Sequence, residues 1–175
     1  MEAAAVSWAA RAADIGATPC DAGEGTARLM ALWTGGRLNF DAAAVQRLAA
    51  YLHFARVGHS RKLILQGEAG EFMLVVLEGT VMIERAAAGM RAARLAEARP
   101  GDVVGEMALL DEGPRLSDCS TRTACIVAVL ENDALARLMN EDAQLALVLL
   151  AALARRLSLR LRQTSARLSA LLSDS

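Results

Sequence analysis

The chain has 175 residues and a mass of 18.5 kDa, which suits one domain with appended helices and is too short for two ordinary domains. Its formal charge is -1 and its isoelectric point is near 6.1. These values exclude a global field that would attract nucleic acid or an acidic membrane, so any anion site must be built locally. We therefore expect no direct nucleic-acid binding.

Three cysteines, Cys20, Cys119 and Cys125, are an odd number for a chain of this size. They are typical of isolated buried thiols in a reducing compartment rather than of a disulfide framework. The N-terminus lacks a basic region followed by an apolar one, so it does not resemble a secretory signal. The most apolar run, residues 145–154, has about half the roughly 20 residues of a bilayer crossing. The sequence predicts a cytoplasmic protein without membrane insertion.

The first 40 residues are predicted to form an N-terminal helical extension. Residues 1–20 are rich in alanine but have little periodic pattern, and three residues are expected to break any helix there: Gly16, Pro19 and Gly23. Apolar residues favour a short helix from about residue 26 to residue 33. Asp41 is a candidate N-cap for a second helix that runs to about Tyr51.

From residue 53 to about residue 130 the pattern changes to short apolar runs separated by glycine, proline or charged turns. The runs are residues 63–65, 72–77, 81–84, 94–96, 103–104 and 126–129. Short strands at this density are typical of an antiparallel jelly-roll barrel. The sequence therefore predicts a mainly β fold with flanking helices, in which residues 41–175 form one domain.

The C-terminal part is predicted to be helical, with a short helix around Leu135 and a long one from about Asp142 to residue 172. Apolar positions in the long helix recur at alternating steps of four and three: Leu150, Ala154, Leu157, Leu161, Thr164, Leu168 and Leu171. This spacing is the seam of a two-stranded coiled coil. We expect a homodimer through this helix.

The segment from Gly105 to Arg115 places an acid and a base nine residues apart around a short helical turn. The first backbone N–H groups of such a turn point outward and favour an anion. Arg115 can add a forked bond to a phosphate, whereas Glu106 would repel phosphate and is better suited to a sugar hydroxyl. The segment therefore predicts a small ligand that carries both groups, as a cyclic nucleotide does.

The same segment resembles the phosphate-binding cassette of the cyclic-nucleotide-binding domain family, through Gly-Glu-x-Ala-Leu-Leu followed by Pro-Arg. Further blocks in the family's order lie at residues 63–68, 76–81, 99–102, 123–125 and 154–157. The resemblance covers roughly residues 45–172. It implies a regulatory domain, not an enzyme, that binds a cyclic nucleotide such as cAMP or cGMP and moves a lid helix to signal to an unknown effector protein.

The resemblance also implies roles for individual residues. Gly105, Met107 and Ala108 would act through their backbones, and Ser117 could donate to phosphate oxygens. The positions that contact the base fall on Arg160 and Leu161, where Arg160 could stack on a purine. An alternative is that Arg160 belongs to a solvated basic face with the other arginines of its helix.

Departures from the family pattern begin just after the arginine, where small residues and then a hydroxyl are common but this chain has Leu116-Ser117-Asp118. A carboxylate near a phosphodiester is repulsive unless the strand turns it away. A rival interpretation is therefore a degenerate domain that keeps the fold and the dimer but binds no nucleotide. A second rival is a truncated DNA-binding regulator, although the chain ends at Ser175, where we expect no room for a helix-turn-helix.

Catalysis and metal binding are not expected. The only histidines are His53 and His59, too few for the ligand set of a metal-binding jelly roll. No serine or cysteine has a histidine near it in sequence that would suggest an activated nucleophile.

Overall fold

The structure, a computed structural model, describes residues 5–35, 40–86 and 93–173. The chain forms two compact units, Met1–Arg137 and Leu138–Ser175. The first unit contains the β-sheets and the N-terminal helices, and the second contains a long helix. Among the described residues, no helix has both the length and the apolar character that a bilayer crossing needs.

Two antiparallel sheets form the barrel. The five-stranded sheet has the spatial order β2 (Thr18–Pro19), β3 (His53–Val57), β11 (Cys125–Glu131), β6 (Phe72–Glu78) and β9 (Val103–Val104). The four-stranded sheet has the order β4 (Lys62–Ile64), β10 (Asp118–Thr121), β7 (Val81–Arg85) and β8 (Ala93–Ala98). A separate parallel pair joins β1 (Ala5–Val6) to β5 (Ala69–Gly70). The predicted mainly β fold with an antiparallel barrel is confirmed.

Strand β6 explains why the sequence contains an almost unbroken apolar run. Phe72, Leu74 and Val76 point into the core between the two sheets. The alternate residues of the same strand are buried on the opposite face, where α2 (Ala22–Trp33) packs against β3, β6 and β11. Residues 72–77 are covered on both faces, so no position among them would leave a polar side chain solvated.

The apolar runs located most of the barrel strands, with ends that differ by a few residues. Strands β3 and β10 of the barrel were not among these runs, nor were the two-residue strands β1, β2 and β5. Strand β3 contains the exposed His53 and Arg56 and so lacks a continuous apolar signal. Strand β5 has two residues, and it forms because β1 pairs with it from 64 positions away, which local sequence does not encode.

The N-terminal extension is more ordered than predicted. Helix α1 (Trp8–Ile15) begins at Ser7, whose hydroxyl accepts from the N–H of Ala10, and ends at Gly16 in the left-handed conformation. Its Trp8 and Ile15 side chains belong to the hydrophobic core. The expectation that Gly16 ends a helix is confirmed.

The expectation that Gly23 breaks a helix is wrong, because α2 begins at Ala22. Asp21 caps this helix by accepting from the N–H of Glu24, and Thr26 donates to the carbonyl of Ala22. Gly25 is required by packing, since an added Cβ would lie 2.3 Å from two ring carbons of Phe54. Gly25 therefore permits close packing of the helix on the sheet.

The remaining helices agree with the sequence prediction in position. Asp41 caps α3 (Ala42–Ala49), where its carboxylate accepts from the N–H of Ala44. Helix α4 (Glu106–Asp111) lies between β9 and β10, and α5 (Asn132–Glu141) follows β11. Helix α6 (Ala143–Ser173) has 31 residues and begins after Asp142, which accepts from the N–H of Leu145.

The close approach of Gly25 to Phe54 gives a stability prediction. Gly25→Ala is expected to lower the free energy of unfolding by about 1–3 kcal/mol, because the ring must shift in a packed interface. The matched control is Gly23→Ala in the same helix, where the Cβ would meet only the Asp21 carboxylate at 3.1 Å. Urea denaturation measures both, and equal stability of the two variants would contradict the packing argument.

A buried arginine and a helical turn form the candidate site

A glycine in the left-handed conformation begins the helical turn that the sequence singled out. Gly105 has a φ of 79° and is followed directly by α4. A side chain is excluded here twice. The positive φ disfavours a Cβ, and an added Cβ would lie 2.7 Å from Nη1 of Arg115 and 2.7 Å from Cδ1 of Ile64. The backbone of the turn therefore lies close against Arg115.

The side chains of α4 divide between the interior and the surface. Glu106 and Ala108 are buried, with 1% and 4% of their surface exposed, whereas Met107 is 39% exposed. The structure thus brings the predicted residues Gly105, Glu106, Met107 and Ala108 into one turn beside Arg115. Their contacts with a ligand stay predictions.

Arg115 is buried, with 5% of its surface exposed. Its Nη1 donates to the carbonyl oxygen of Gly105 at 2.8 Å, and its Nη2 donates to the carbonyl oxygen of Phe72 at 2.6 Å. The Cζ atom lies 4.8 Å from the centroid of the Phe72 ring, in a cation–π contact. The guanidinium is therefore fixed on three sides by protein groups.

The charge of Arg115 is influenced by burial and by its neighbours. Burial lowers the pKa of the guanidinium below its ordinary value, while Cys119, Glu68 and Glu106 act to raise the pKa. An arginine remains protonated at neutral pH despite such a shift. The site therefore contains a cation that is largely removed from water.

Gly70 forms the second wall of the slot that holds Arg115. An added Cβ at position 70 would lie 2.2 Å from Nε and 2.3 Å from Cζ of Arg115. The turn before Gly70 is bonded to the backbone of Arg115: Gly67 donates to the Arg115 carbonyl, and the Arg115 N–H donates to the carbonyl of Glu68, both at 2.8 Å. Residues 67–70 and Arg115 therefore form one paired unit.

The three residues after Arg115 have different environments. Leu116 is 49% exposed, and the hydroxyl of the half-buried Ser117 is hydrogen-bonded to the thiol of Cys119. The carboxylate of Asp118 accepts from the backbone N–H of Gln66 at 2.7 Å and from Nζ of Lys62 at 3.1 Å. The carboxylate of Asp118, which was expected to repel phosphate, is thus paired with β4 and with the turn that follows β4.

The buried thiols have no activating environment. Burial raises the pKa of Cys119 to about 12, against the opposing influence of Arg115. Burial also raises the pKa values of Cys20 and Cys125. All three cysteines are free and buried, as predicted. Across residues 5–35, 40–86 and 93–173, no group of three or more potential metal ligands is present.

Arg160 lies on α6, in the second compact unit, where its carbonyl oxygen accepts from the Thr164 hydroxyl. Its contact with a nucleotide base stays a prediction.

The sequence did not predict that Gly70 and Phe72 contact Arg115. Gly70 and Phe72 form its slot, and no motif assigned them a role. The isolated glycine of Ala69-Gly70-Glu71, just before a strand, was the available signal, since such a glycine often marks a close approach of another group. Phe72 gave no signal beyond being a core residue.

The pairing of Asp118 predicts a pH-dependent contribution to stability. Burial acts to raise the pKa of Asp118, but the bonds from Gln66 and Lys62 outweigh it and leave the pKa below its usual value. The contribution is therefore present above the unfolded pKa of about 3.9 and is lost as pH falls through the folded pKa. Asp118→Asn is expected to lower the free energy of unfolding by about 1 kcal/mol at pH 7, a small value because the site is partly exposed. At acidic pH the substitution should change almost nothing, because Asp118 is then protonated.

Urea denaturation at neutral and acidic pH measures this difference. In a Lys62→Gln background the cost of Asp118→Asn should be smaller, since one of the two bonds is already gone. The same cost at both pH values would show that the charge of Asp118 is not involved.

Comparison with known proteins links this geometry to a family. A family model described as "Cyclic nucleotide-binding domain" matches residues 59–142, which include α4 and Arg115. The CRP-like cAMP-activated global transcriptional regulator of Mycobacterium tuberculosis is 32% identical over 115 residues, which are 66% of this chain and 50% of that protein. The chain thus spans about half the length of the curated relatives that it matches.

Solved structures share the fold. A cyclic nucleotide-binding domain from Methylobacillus flagellatus has 25% identity and a TM-score of 0.72, over 83% of this chain and 81% of that chain. The c-di-GMP responsive global regulator CLP of Xanthomonas campestris has 27% identity and a TM-score of 0.67, over 74% of this chain and 63% of that chain. Residues 59–142 thus match the cyclic nucleotide-binding domain family, and the relatives and the shared fold support this assignment.

Proposed function

We propose that this chain is a sensing domain that binds a cyclic nucleotide of the cAMP or cGMP type and signals through α6. The observation that carries the proposal is the state of Arg115, a guanidinium that is 5% exposed and fixed by two backbone carbonyl oxygens beside the first turn of α4. A cation removed from water attracts an anion more strongly than a cation at the surface does.

The phosphate would bind between Arg115 and the start of α4. A guanidinium has five N–H donors, and the bonds to Gly105 and Phe72 use two of them, so donors remain for phosphate oxygens. The backbone N–H groups of Met107 and Ala108 would add further donors at the turn. Leu116 and Ser117, which follow Arg115 directly, are the other proposed contacts on the phosphate side.

The ribose would bind to Glu106. This carboxylate is 1% exposed and lies one residue from Gly105, to which Arg115 is bonded. A carboxylate accepts hydrogen bonds and would repel a phosphate, so a sugar hydroxyl is its natural partner. One buried arginine and one buried carboxylate match one phosphate and one ribose, which favours a cyclic mononucleotide over a dinucleotide.

The identity of the base is a separate proposal. A relative of this chain is named as cAMP-activated and another as c-di-GMP responsive, so the family's ligands vary. We propose that Arg160 stacks on a purine or bonds to its edge. Its side chain does not by itself separate adenine from guanine.

Helix α6 is the proposed route of output and the proposed dimer contact. Leu161 and Leu168 on the predicted seam are 68% and 56% exposed in the single chain. Burying a leucine against a second copy contributes about 1.5–3 kcal/mol. Nucleotide binding would then shift α6 between two positions, provided that the nucleotide binds one state better than the other.

A regulatory role, not catalysis, fits the chemistry of the site. The thiol of Cys119 is protonated at neutral pH, and Arg115 and Glu106 are suited to binding. The three free, buried cysteines favour a reducing compartment, so we propose a cytoplasmic protein. The effector that α6 contacts would be another protein or a segment that is not part of this sequence.

The alternative function is a degenerate domain that acts as a dimeric interaction module. The exposed Leu116 favours this alternative. The hydrogen bonds from Arg115 to two backbone carbonyl oxygens also favour it, because they already occupy two of the guanidinium N–H donors. The two functions differ in one measurable property, the binding of a cyclic nucleotide to the folded protein.

Arg115→Ala is expected to weaken cyclic-nucleotide binding by about 10²–10³-fold, because it leaves the phosphate without its buried cation. Isothermal titration calorimetry with cAMP, cGMP and c-di-GMP measures this. Arg122→Ala is the matched control, since Arg122 is half exposed and bonds to Glu97 on the barrel surface. Absence of heat with every ligand in folded wild-type protein would favour the degenerate module.

Leu161→Glu is expected to convert the dimer into a monomer, because a charge at the centre of the seam would be buried without a partner. Leu159→Glu is the control, since Leu159 is 61% exposed on the same helix but lies off the seam. Size-exclusion chromatography with light scattering gives the mass of each variant. A monomeric wild type, or equal loss in both variants, would rule out this dimer contact.

A further inference from the structure

The N-terminal segment, residues 5–15, contacts three of the residues that surround Arg115: Glu68, Gly70 and Phe72. We propose that this segment positions Arg115 for its anion, with Trp8 and Arg11 as positioning residues. This inference rests on the proposed function for its ligand, but the support of Arg115 itself can be tested without a ligand. The three contacts are independent, and each ends on a different neighbour of the guanidinium.

The first contact runs through Phe72. Trp8, which is 6% exposed, packs edge-on against the Phe72 ring at 5.5 Å between centroids and 73° between planes. The same ring lies under the guanidinium of Arg115, and the Phe72 carbonyl accepts from Nη2. Because the core is closely packed, the indole limits the tilt of the Phe72 ring, which contacts Arg115.

Trp8 is itself fixed at its backbone. Its N–H donates to Oε1 of Glu131 at 3.0 Å, at the end of β11. The start of α1 is thus tied to the central sheet next to Phe72, which pairs with Glu131. The position of the indole is set by the barrel rather than by the N-terminal segment alone.

The second contact runs through Gly70. Strand β1 pairs in parallel with β5, with Ala5 opposite Ala69 and Val6 opposite Gly70. Gly70 is the wall of the slot beside Nε of Arg115, and Ala69 is also bridged to Pro114. Strand β5 therefore lies between β1 on one side and Pro114, the residue before Arg115, on the other.

The third contact runs through Glu68. Arg11 is 4% exposed, and its Nη2 donates to Oε2 of Glu68. The carbonyl of Glu68 accepts from the backbone N–H of Arg115. Arg11 is close enough to lower the pKa of Arg115, whereas Glu68 raises it, so the carboxylate balances two neighbouring guanidinium groups. Removing the charge of Arg11 would leave Glu68 with Arg115 as its one neighbouring guanidinium among these groups.

These contacts make a distinct prediction for residues that touch no ligand. Loss of the indole would let Phe72 tilt, and the guanidinium would no longer be held at a single position for the phosphate. Affinity should fall although Arg115, Glu106 and the turn of α4 are unchanged in sequence. A purely structural role for Trp8 would lower stability and leave affinity as it is.

The first experiment needs no ligand. Urea midpoints are measured for Trp8→Leu, Arg115→Ala and the double variant, and the same cycle is made with Trp33→Leu. Trp33, the last residue of α2, is the matched control, since it is 1% exposed and stacks on Phe40. The double variant of Trp8 and Arg115 should lose less than the sum of the two single losses, whereas the Trp33 cycle should be additive. Additivity in both cycles would overturn the proposal.

The second experiment measures affinity by calorimetry with the cyclic nucleotide that wild type binds. Trp8→Leu is expected to weaken binding by about 10–100-fold, as is typical when a residue that orients a binding group is lost. Trp8→Phe should restore most of the affinity because it keeps an aromatic edge on Phe72, and Trp33→Leu should bind as wild type does. Wild-type affinity in a folded Trp8→Leu variant would contradict the inference.

The outcomes separate this inference from the proposed function. If wild type binds no cyclic nucleotide, the proposed function fails, and the cycle in urea still decides whether Trp8 supports Arg115. If wild type binds but Trp8→Leu is unaffected, only the inference fails. Should Trp8→Leu not fold, Arg11→Met replaces it in the affinity comparison, and unchanged binding in Arg11→Met would overturn the proposal.

Discussion

The burial of one positive charge is the constraint on which the candidate site depends. A guanidinium removed from water loses its hydration, and the protein must replace that hydration with its own dipoles and charges. Here the replacement comes from two backbone carbonyls, one aromatic face and two nearby carboxylates, Glu68 and Glu106. Protein groups alone thus satisfy part of the guanidinium, and the proposed function requires that a phosphate reach its remaining N–H donors.

This constraint explains features that lie far apart in the chain. Two positions flanking Arg115 must be glycine, Gly70 and Gly105, because any Cβ would occupy the space of the guanidinium. The turn before Gly70 is bonded to the backbone of Arg115, so the arginine's own main chain is fixed as well as its side chain. The N-terminal segment is held by the same residues, since it contacts Glu68, Gly70 and Phe72.

The sequence was informative where local patterns decide the structure and silent where distant contacts do. Asp41 and Asp142 were recognisable as helix starts because capping depends on residues three positions away. The segment from residue 105 to residue 115 was recognisable because its residues are contiguous. In the structure Arg115 lies beside the start of α4, where it is bonded to Gly105. Gly23 was misjudged, since glycine was weighed by propensity although Asp21 caps the helix around it. The part played by Phe72 depends on a partner 43 positions away, which no local pattern encodes.

The protonated state of Cys119 has a consequence for the behaviour of the site in a cell. A pKa of about 12 leaves roughly one thiolate in 10⁵ at neutral pH, and thiolate is the form that peroxides and alkylating agents attack. The Cys119 thiol, whose pKa is influenced by Arg115, is therefore chemically unreactive. Oxidation at this thiol is thus not a route by which peroxide would alter the surroundings of Arg115, and any binding there would be insensitive to the redox chemistry of Cys119.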